Sequence, residues 1–555
     1  MTGRGGSPWK LHWFGLAGLL ALFLLYLAWL GPTAYFGWYH DDTIYFSSAR
    51  ALAEGGGYVL PSVPGAPPQT KYPPLHPWLL SLVWRWQPGF PDNLAVAVGL
   101  TAVFACWFLA AAFQLLRGLA GVGRWAALVA VALSAFHPDF VFLSGVLLSD
   151  VPFLALALTG ALAADAGLRA QCRPRMALVA GVAAGLSALT RTLGLPVMAG
   201  IVACGLYRRA YRQCLVFSLA AFPLAGAALL SPGIPENVAS WAAQGGPGFR
   251  QTWLFCTSYW EFWKLGVPNL DALWAMLSRN INLFAQGPAR QCLFPPPGGE
   301  DSYAGTLVMV TLTAGILSGI ARQARGQEWK PIHFLLVFYP AAAVLWNYAL
   351  VDRFLMLFVP LFYAGLWVEG RYVVSLVADQ FRPGRPLAGR ILAGMLSAGL
   401  LAVAVASARH YATGVRPQLQ GLAERRAALA GEKAELHDWI RRETGPEVRF
   451  IAYEDASLYL YTGRQSMRPI AFSTEAFYKR DEKVLERDLD RITDVARHIG
   501  ARYWVAAADD FHLETGRPLI DRRIAELKSR MPVVFESSGG RVKLYDLERL
   551  IPPAP

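Results

Sequence analysis
The sequence predicts an α-helical polytopic membrane protein with about eleven transmembrane helices, followed by an exported α/β domain. Three observations lead there. The 555 residues are 54% hydrophobic and only 16% charged, too apolar for a soluble chain of this length. Apolar runs close to the length of a bilayer crossing recur through the first 410 positions. Beyond them the charge becomes dense, and short β-type runs alternate with helical patterns. The net charge of +12 does not indicate nucleic acid, because the basic residues form short clusters between apolar runs rather than one polar face.

The first apolar run, 16–30, follows Arg4 and Lys10 and has no small-residue cleavage site after it, so it reads as a retained anchor with the amino terminus inside. Further spans are expected at 92–116, 124–138, 150–168, 176–190, 193–207, 214–231, 303–321, 331–350, 353–370 and 391–409. The segment "YPPLHPWLLSLVWRW" has an apolar part of about 12 residues and contains Arg85, which is short for a span. Laid flat as an interfacial helix, it leaves the clusters at Arg117 and Arg124, Arg169 to Arg175, Arg208 to Arg212, Arg322 to Lys330 and Arg371 to Arg390 all inside. If it crossed, the same clusters would face out. The outer face then carries a loop at 33–91, the turn ending at Asp150, corners at Arg191 and Arg353, a long loop at 232–302, and the carboxyl-terminal part.

The division expected is a membrane module at 1–410 and an exported α/β domain at 411–555. In the latter, "VRFIAYE", "ARYWVAAA", "PVVFES" and "RVKLYDL" read as strands, and Gly445-Pro446 breaks the first helix from the first strand. Six cysteines have no zinc spacing. Cys256 and Cys292 share the exported loop, where a disulfide and two unrelated thiols are both open.

Asp41 and Asp42 in "WYHDDTIYFSSARALAEGG" have a structural reading as caps of the helix that follows. Arg191 in "ALTRTLGLP" and Arg353 in "VDRFLMLFVPLF" read singly as snorkelling anchors. Together with Lys71, His137, Asp139 and Asp150, however, they collect ionisable groups on one membrane face, which points to a site. Carboxylates accept a proton from a hydroxyl nucleophile, and Arg or Lys holds a phosphate gaining charge as it leaves. The aromatics of "WLFCTSYWEFWKLGVPN" beside Glu261, Lys264 and Arg279 read as interface anchors or as a lid.

The order "HDDTIYFSSARALAEGGGY", "KYPPLHPWLLSLVW", "LLSDVPF", "LTRTLGLP", "DRFLMLFVPLF" over positions 10–410 resembles the GT-C glycosyltransferases, within them the protein O-mannosyltransferase and aminoarabinose-transferase group. The resemblance implies a GT-C-like fold and an inverting enzyme that moves a sugar from a polyprenyl-phosphate donor to a lipid, glycan or protein hydroxyl on the outer face of a bacterial inner membrane. It implies Asp41 as general base, with Asp42 assisting it or holding a cation. Asp150 would position acceptor or metal, or cap its own helix. Lys71, Arg191 and Arg353 would bind the donor phosphate, with Lys71 alternatively a solvated loop residue. Tyr45 packs behind the pair or is simply a buried aromatic, and His137 is supporting or an ordinary interfacial residue. The pair is Asp-Asp where relatives often carry Asp-Glu, so neither acceptor nor metal requirement is carried over. Mg²⁺ or Mn²⁺ on Asp41, Asp42 and Asp150 stays open, because no fixed ligand spacing demands it. The competing class is a transporter or lipid-carrier flippase, but duplicated halves and midplane charges are not evident. A structural or signalling membrane protein would leave Asp41, Lys71 and Arg353 unexplained.

Overall fold
The computed structural model describes residues 8–31, 35–169, 174–229, 234–292, 302–326, 328–348, 351–381, 416–479, 481–512, 514 and 517–548, with isolated positions at 391, 394, 395, 398, 409 and 413. The first part of the chain runs α1 Pro8–Leu30, α2 His40–Ala53, α3 Leu75–Trp86, α4 Leu94–Arg117, α5 Arg124–Ala135, α6 Pro138–Gly145, α7 Asp150–Gly167, α8 Pro174–Thr190, α9 Gly194–Tyr207 and α10 Tyr211–Leu229. Four helices, α11 Glu236–Ala243, α12 Pro247–Thr257, α13 Tyr259–Gly266 and α14 Leu270–Cys292, fill most of the stretch expected to be a long loop. Then come α15 Tyr303–Arg325, α16 Pro331–Ala343, a 3₁₀ helix Val351–Phe358 and α17 Val359–Phe381.

Among the described residues, five segments are long and apolar enough to cross a bilayer: Trp13–Leu30, Leu94–Arg117, Asp150–Gly167, Gly305–Arg325 and Arg353–Val377. Arg124–Ala135 and Pro138–Gly145, bent by 59° at His137, make a sixth if taken as one span. Pro174–Thr190, Gly194–Tyr207 and Pro331–Ala343 are apolar but shorter. A helix stands at each of the expected spans from 92–116 to 353–370, several of them shorter than a full bilayer crossing. Apolar runs overstate helix length wherever a Pro or Gly corner interrupts them, and most of 391–409 lies outside the described residues. The expected short helix at the doubtful segment is α3, packed on α2 with Trp84 Nε1 donating to the Phe46 carbonyl at 3.1 Å.

The carboxyl-terminal part holds α18 Arg416–Glu443, β1 Phe450–Ile451, α19 Asp455–Thr462, β2 Ser466–Met467, β3 Tyr503–Ala507, β4 Val533–Glu536 and β5 Val542–Asp546. The strands form one mixed sheet in the order β2-β1-β3-β5-β4, with β1 parallel to β2 and β3, and β5 antiparallel to β3 and β4. Each of the four expected strands is present, and β2 is an addition. Phe450, Ala452, Val542 and Leu544 pack with Leu436 and Ile440 of α18 to give this sheet its own apolar core. Cys256 and Cys292 are both free thiols, so the open disulfide is resolved against bonding.

Candidate functional site
The sheet-bearing part is fastened directly onto the acidic loop. His40 Nε2 contacts Asp455 Oδ1 at 2.6 Å, Arg426 donates to the Phe36 carbonyl at 2.8 Å, and His512 Nε2 meets the Trp38 carbonyl at 3.0 Å. The Ser466 amide also donates to the Ser62 carbonyl at 2.8 Å. Between the two parts lies a cavity of about 1090 Å³, lined from both. Of the residues the sequence singles out, Asp41, Tyr45, Lys71, Arg191 and Arg353 line it.

Asp41 stands in the first turn of α2. It caps nothing: Tyr39 occupies the cap position, and no side chain closes that end. Oδ1 instead accepts the Tyr72 hydroxyl at 2.6 Å. Burial alone would raise its pKa, but Lys71, the Tyr72 hydrogen bond and Arg353 outweigh it and hold the carboxyl below the ordinary value. Asp41 is therefore an ionised carboxylate at neutral pH.

Lys71 is 6% exposed, which removes the reading of a solvated loop lysine. Its strand-like loop is tied down by Thr70 donating to the Thr257 carbonyl and by Tyr58 donating to the Tyr72 carbonyl at 2.9 Å. The ammonium lies 3.9 Å from the Phe255 ring centroid and about 5 Å from those of Tyr72 and Tyr259, an aromatic cage of the kind that holds cations. Burial lowers its pKa, and Asp41 opposes the fall.

Arg191 occupies the corner between α8 and α9. A Cβ on Gly194 would meet the Ala188 backbone at 2.3 Å, so only glycine allows the close turn that aims Arg191 inward. Arg191 pairs with Asp150, and Arg353 Nε stands 3.9 Å from the other oxygen of the same carboxylate. Asp150 does not itself line the cavity. Its carboxylate fixes two guanidinium groups from behind, while Tyr45 closes the neighbouring wall through a 3.1 Å contact with the Ser149 hydroxyl.

Asp42 and His137 are placed elsewhere. Asp42 is fully buried, does not line the cavity, and accepts the Gly37 amide at 3.2 Å. Burial raises its carboxyl well above the ordinary 3.8, with Arg426 only partly opposing. The unfolded chain would ionise Asp42 above that value while the folded chain keeps the proton, so its contribution to stability falls as pH rises. Asp42→Asn, which mimics the neutral acid, is expected to keep turnover within about twofold and to melt at or above wild type, by thermal unfolding of purified protein beside a turnover assay. His137 sits at the bend before α6, buried and outside the cavity wall. Asp139 lies in the first turn of α6 and is likewise not a cavity residue.

Among the described residues no group of three His, Cys, Asp or Glu could hold a metal ion. Asp41 faces Tyr72, Asp150 is taken up by two arginines, and Asp42 points away. These carboxylates do not form the ligand set that Mg²⁺ or Mn²⁺ on the three aspartates requires.

Sequence reasoning does not single out several of the residues here. Tyr72 is quoted within "KYPPLHP" but not weighed. Tyr453, Glu454, Arg468 and Glu514, all from the carboxyl-terminal part, line the cavity as well; of these, Tyr453 and Glu454 fall in the strand run "VRFIAYE" and the other two in no quoted segment. In the aromatic stretch, Tyr259, Trp260, Trp263 and Arg279 line the wall, whereas Glu261 and Lys264 form an exposed pair at 2.8 Å.

No protein-family profile and no curated protein matches the sequence. Among solved structures, the chain is similar to ArnT from Cupriavidus metallidurans bound to undecaprenyl phosphate, at TM-score 0.48 and 14% identity over 97% of this chain and 99% of that one. It is similar also to the archaeal oligosaccharyltransferase AglB from Archaeoglobus fulgidus in complex with an inhibitory peptide and a dolichol-phosphate, at TM-score 0.47 and 14% identity over 97% of this chain and 74% of that one.

Proposed function
We propose that the protein is a membrane glycosyltransferase that moves a sugar from a polyprenyl-phosphate carrier to a hydroxyl acceptor on the outer face of a bacterial inner membrane, with inversion. One observation carries this reading: a single cavity sets an ionised carboxylate, Asp41, across from Lys71, Arg191 and Arg353. Four distant segments converge to make that arrangement, and it matches a reaction in which a hydroxyl loses a proton while a phosphate gains charge.

In this reading the free oxygen of Asp41 takes the acceptor proton. The acceptor oxygen bonds to the anomeric carbon from the face opposite the phosphate, and the bond from that carbon to the phosphate oxygen breaks. The electron pair leaves with the polyprenyl phosphate, which the three cations hold. Tyr72 fixes the carboxylate rotamer, and the ammonium of Lys71 keeps it ionised without occupying it. Asp150 is a positioning residue that holds the two arginines. No step needs a metal.

The reading requires recognition of the phosphate rather than the polyprenyl chain alone. Purified full-length protein should bind undecaprenyl phosphate at least about tenfold more tightly than undecaprenol, since one charge-assisted hydrogen bond contributes about 1.5–3 kcal/mol. Equal affinity for the two lipids would remove its basis.

A further inference from the structure
Arg468 sits just after β2, more than 400 residues along the chain from Asp41, yet it faces the same cavity. Its side chain is 4% exposed. The guanidinium lies 4.4 Å from the Tyr453 ring centroid and 5.2 Å from that of Phe255, the ring that also carries the Lys71 ammonium. Among the described residues its only carboxylate neighbour within ion-pair range is Glu514, at a loose 3.8 Å. Nε is buried and has no hydrogen-bond partner among the described residues.

A buried, charged N–H without an acceptor is costly, and native structures rarely leave one without a reason. Arg353 repeats the pattern in the same cavity: among the described residues its buried Nε has no hydrogen-bond partner, and Asp150 stands off at 3.9 Å. Arginine presents a planar fork suited to two oxygens of a phosphate at once. Here the plane is braced by aromatic rings, so little side-chain freedom is left to lose on binding.

The backbone ties this fork to the base. Asp455 uses Oδ1 for His40, the residue before Asp41, and Oδ2 for the Arg468 amide at 3.2 Å. Burial lowers the His40 pKa against the pull of Asp455, so the imidazole is neutral and donates Nε2–H. One carboxylate thus sets Arg468 in register with Asp41 across two parts of the chain.

We propose that Arg468 is a fourth cation of the donor-phosphate site, contributed by the exported domain, so that this domain completes the site rather than only covering it. The inference rests on the polyprenyl-phosphate reading above.

The test compares wild type, Arg353→Ala, Arg468→Gln and Arg468→Lys, each as full-length protein with its thermal unfolding checked, for binding of undecaprenyl phosphate, undecaprenol and inorganic phosphate. The expected result is a loss of about tenfold or more in undecaprenyl phosphate affinity for Arg468→Gln, partly restored in Arg468→Lys, at an unchanged melting temperature and with undecaprenol binding unaffected. If Arg353→Ala weakens phosphate-dependent binding and neither Arg468 variant does, the donor-site reading stands and the Arg468 inference falls. A variant that keeps undecaprenyl phosphate but loses inorganic phosphate would place the oxyanion on a soluble ligand and also overturn it. Wild type that does not distinguish undecaprenyl phosphate from undecaprenol would instead defeat the underlying reading. Should Arg468→Gln melt early, the folded Arg468→Lys protein decides: wild-type affinity there overturns the assignment, and a severalfold loss supports it.

Discussion

Asp41→Asn is expected to lower turnover by about 10²- to 10⁴-fold while donor binding and folding persist. The amide keeps the shape of the carboxylate and can still accept the Tyr72 hydroxyl, now at 2.6 Å from Oδ1. It cannot take a proton. Because Lys71, Tyr72 and Arg353 together outweigh burial and hold the Asp41 carboxyl below its ordinary value, the acid limb of wild-type activity due to this group should lie below the usual carboxylate range. The base is then present at every pH above that limb, so a fall in activity on going from neutral to mildly acidic pH would have to come from another group. Single-turnover kinetics with a matched binding titration separates the two effects. Full turnover in Asp41→Asn would remove the assignment of the base.

The second large effect is expected at Asp150, and it is structural first. Its carboxylate lies between Arg191 and Arg353, with side-chain exposures of 6% for the acid and 14% for each arginine. Removing the acid leaves two buried guanidinium groups facing each other without a counter-charge. Breaking a buried pair from one side costs about 3–5 kcal/mol, chiefly through the charge left behind. Asp150→Ala should therefore melt many degrees below wild type and lose donor affinity together. The double variant Asp150→Ala/Arg191→Met should recover part of the stability, since one of the two guanidinium groups left without the carboxylate is removed and the repulsion between them is relieved. A single variant that melts like wild type would show that the arginines are held by something other than this carboxylate.

The residues that reach the cavity were largely legible from charge and sidedness. Arg191, Arg353 and Lys71 stand where a polytopic chain has least reason to keep cations, and that anomaly is readable without coordinates. Charge and sidedness alone do not say which of two adjacent aspartates faces inward; the family resemblance pointed to Asp41. Consecutive helical residues point about 100° apart, so Asp41 and Asp42 must diverge, and the choice depends on Gly37 and Tyr72 arriving from other segments. Asp150 looked like a ligand-holding acid because its two partners lie 41 and 203 residues away along the chain. The corner at Arg191 was legible, since the runs at 176–190 and 193–207 fall on Pro174–Thr190 and Gly194–Tyr207, but the glycine-dependent close approach that shapes it was not. The largest omission, Arg468 with Tyr453 and Glu514, follows from treating the tail as a separate unit. Its strands were visible as alternation, but its docking rests on single contacts such as His40 to Asp455 that leave no pattern in sequence.

The most direct measurement is release of free undecaprenyl phosphate from a panel of undecaprenyl-phosphate sugars, by purified protein with and without crude envelope acceptor, for wild type and Asp41→Asn. The account predicts acceptor-dependent release from one donor, abolished in Asp41→Asn although that variant still binds the lipid. Folded wild-type protein that binds the lipids but releases phosphate from none, with any acceptor fraction, would contradict the transferase reading and favour movement of the lipid carrier instead.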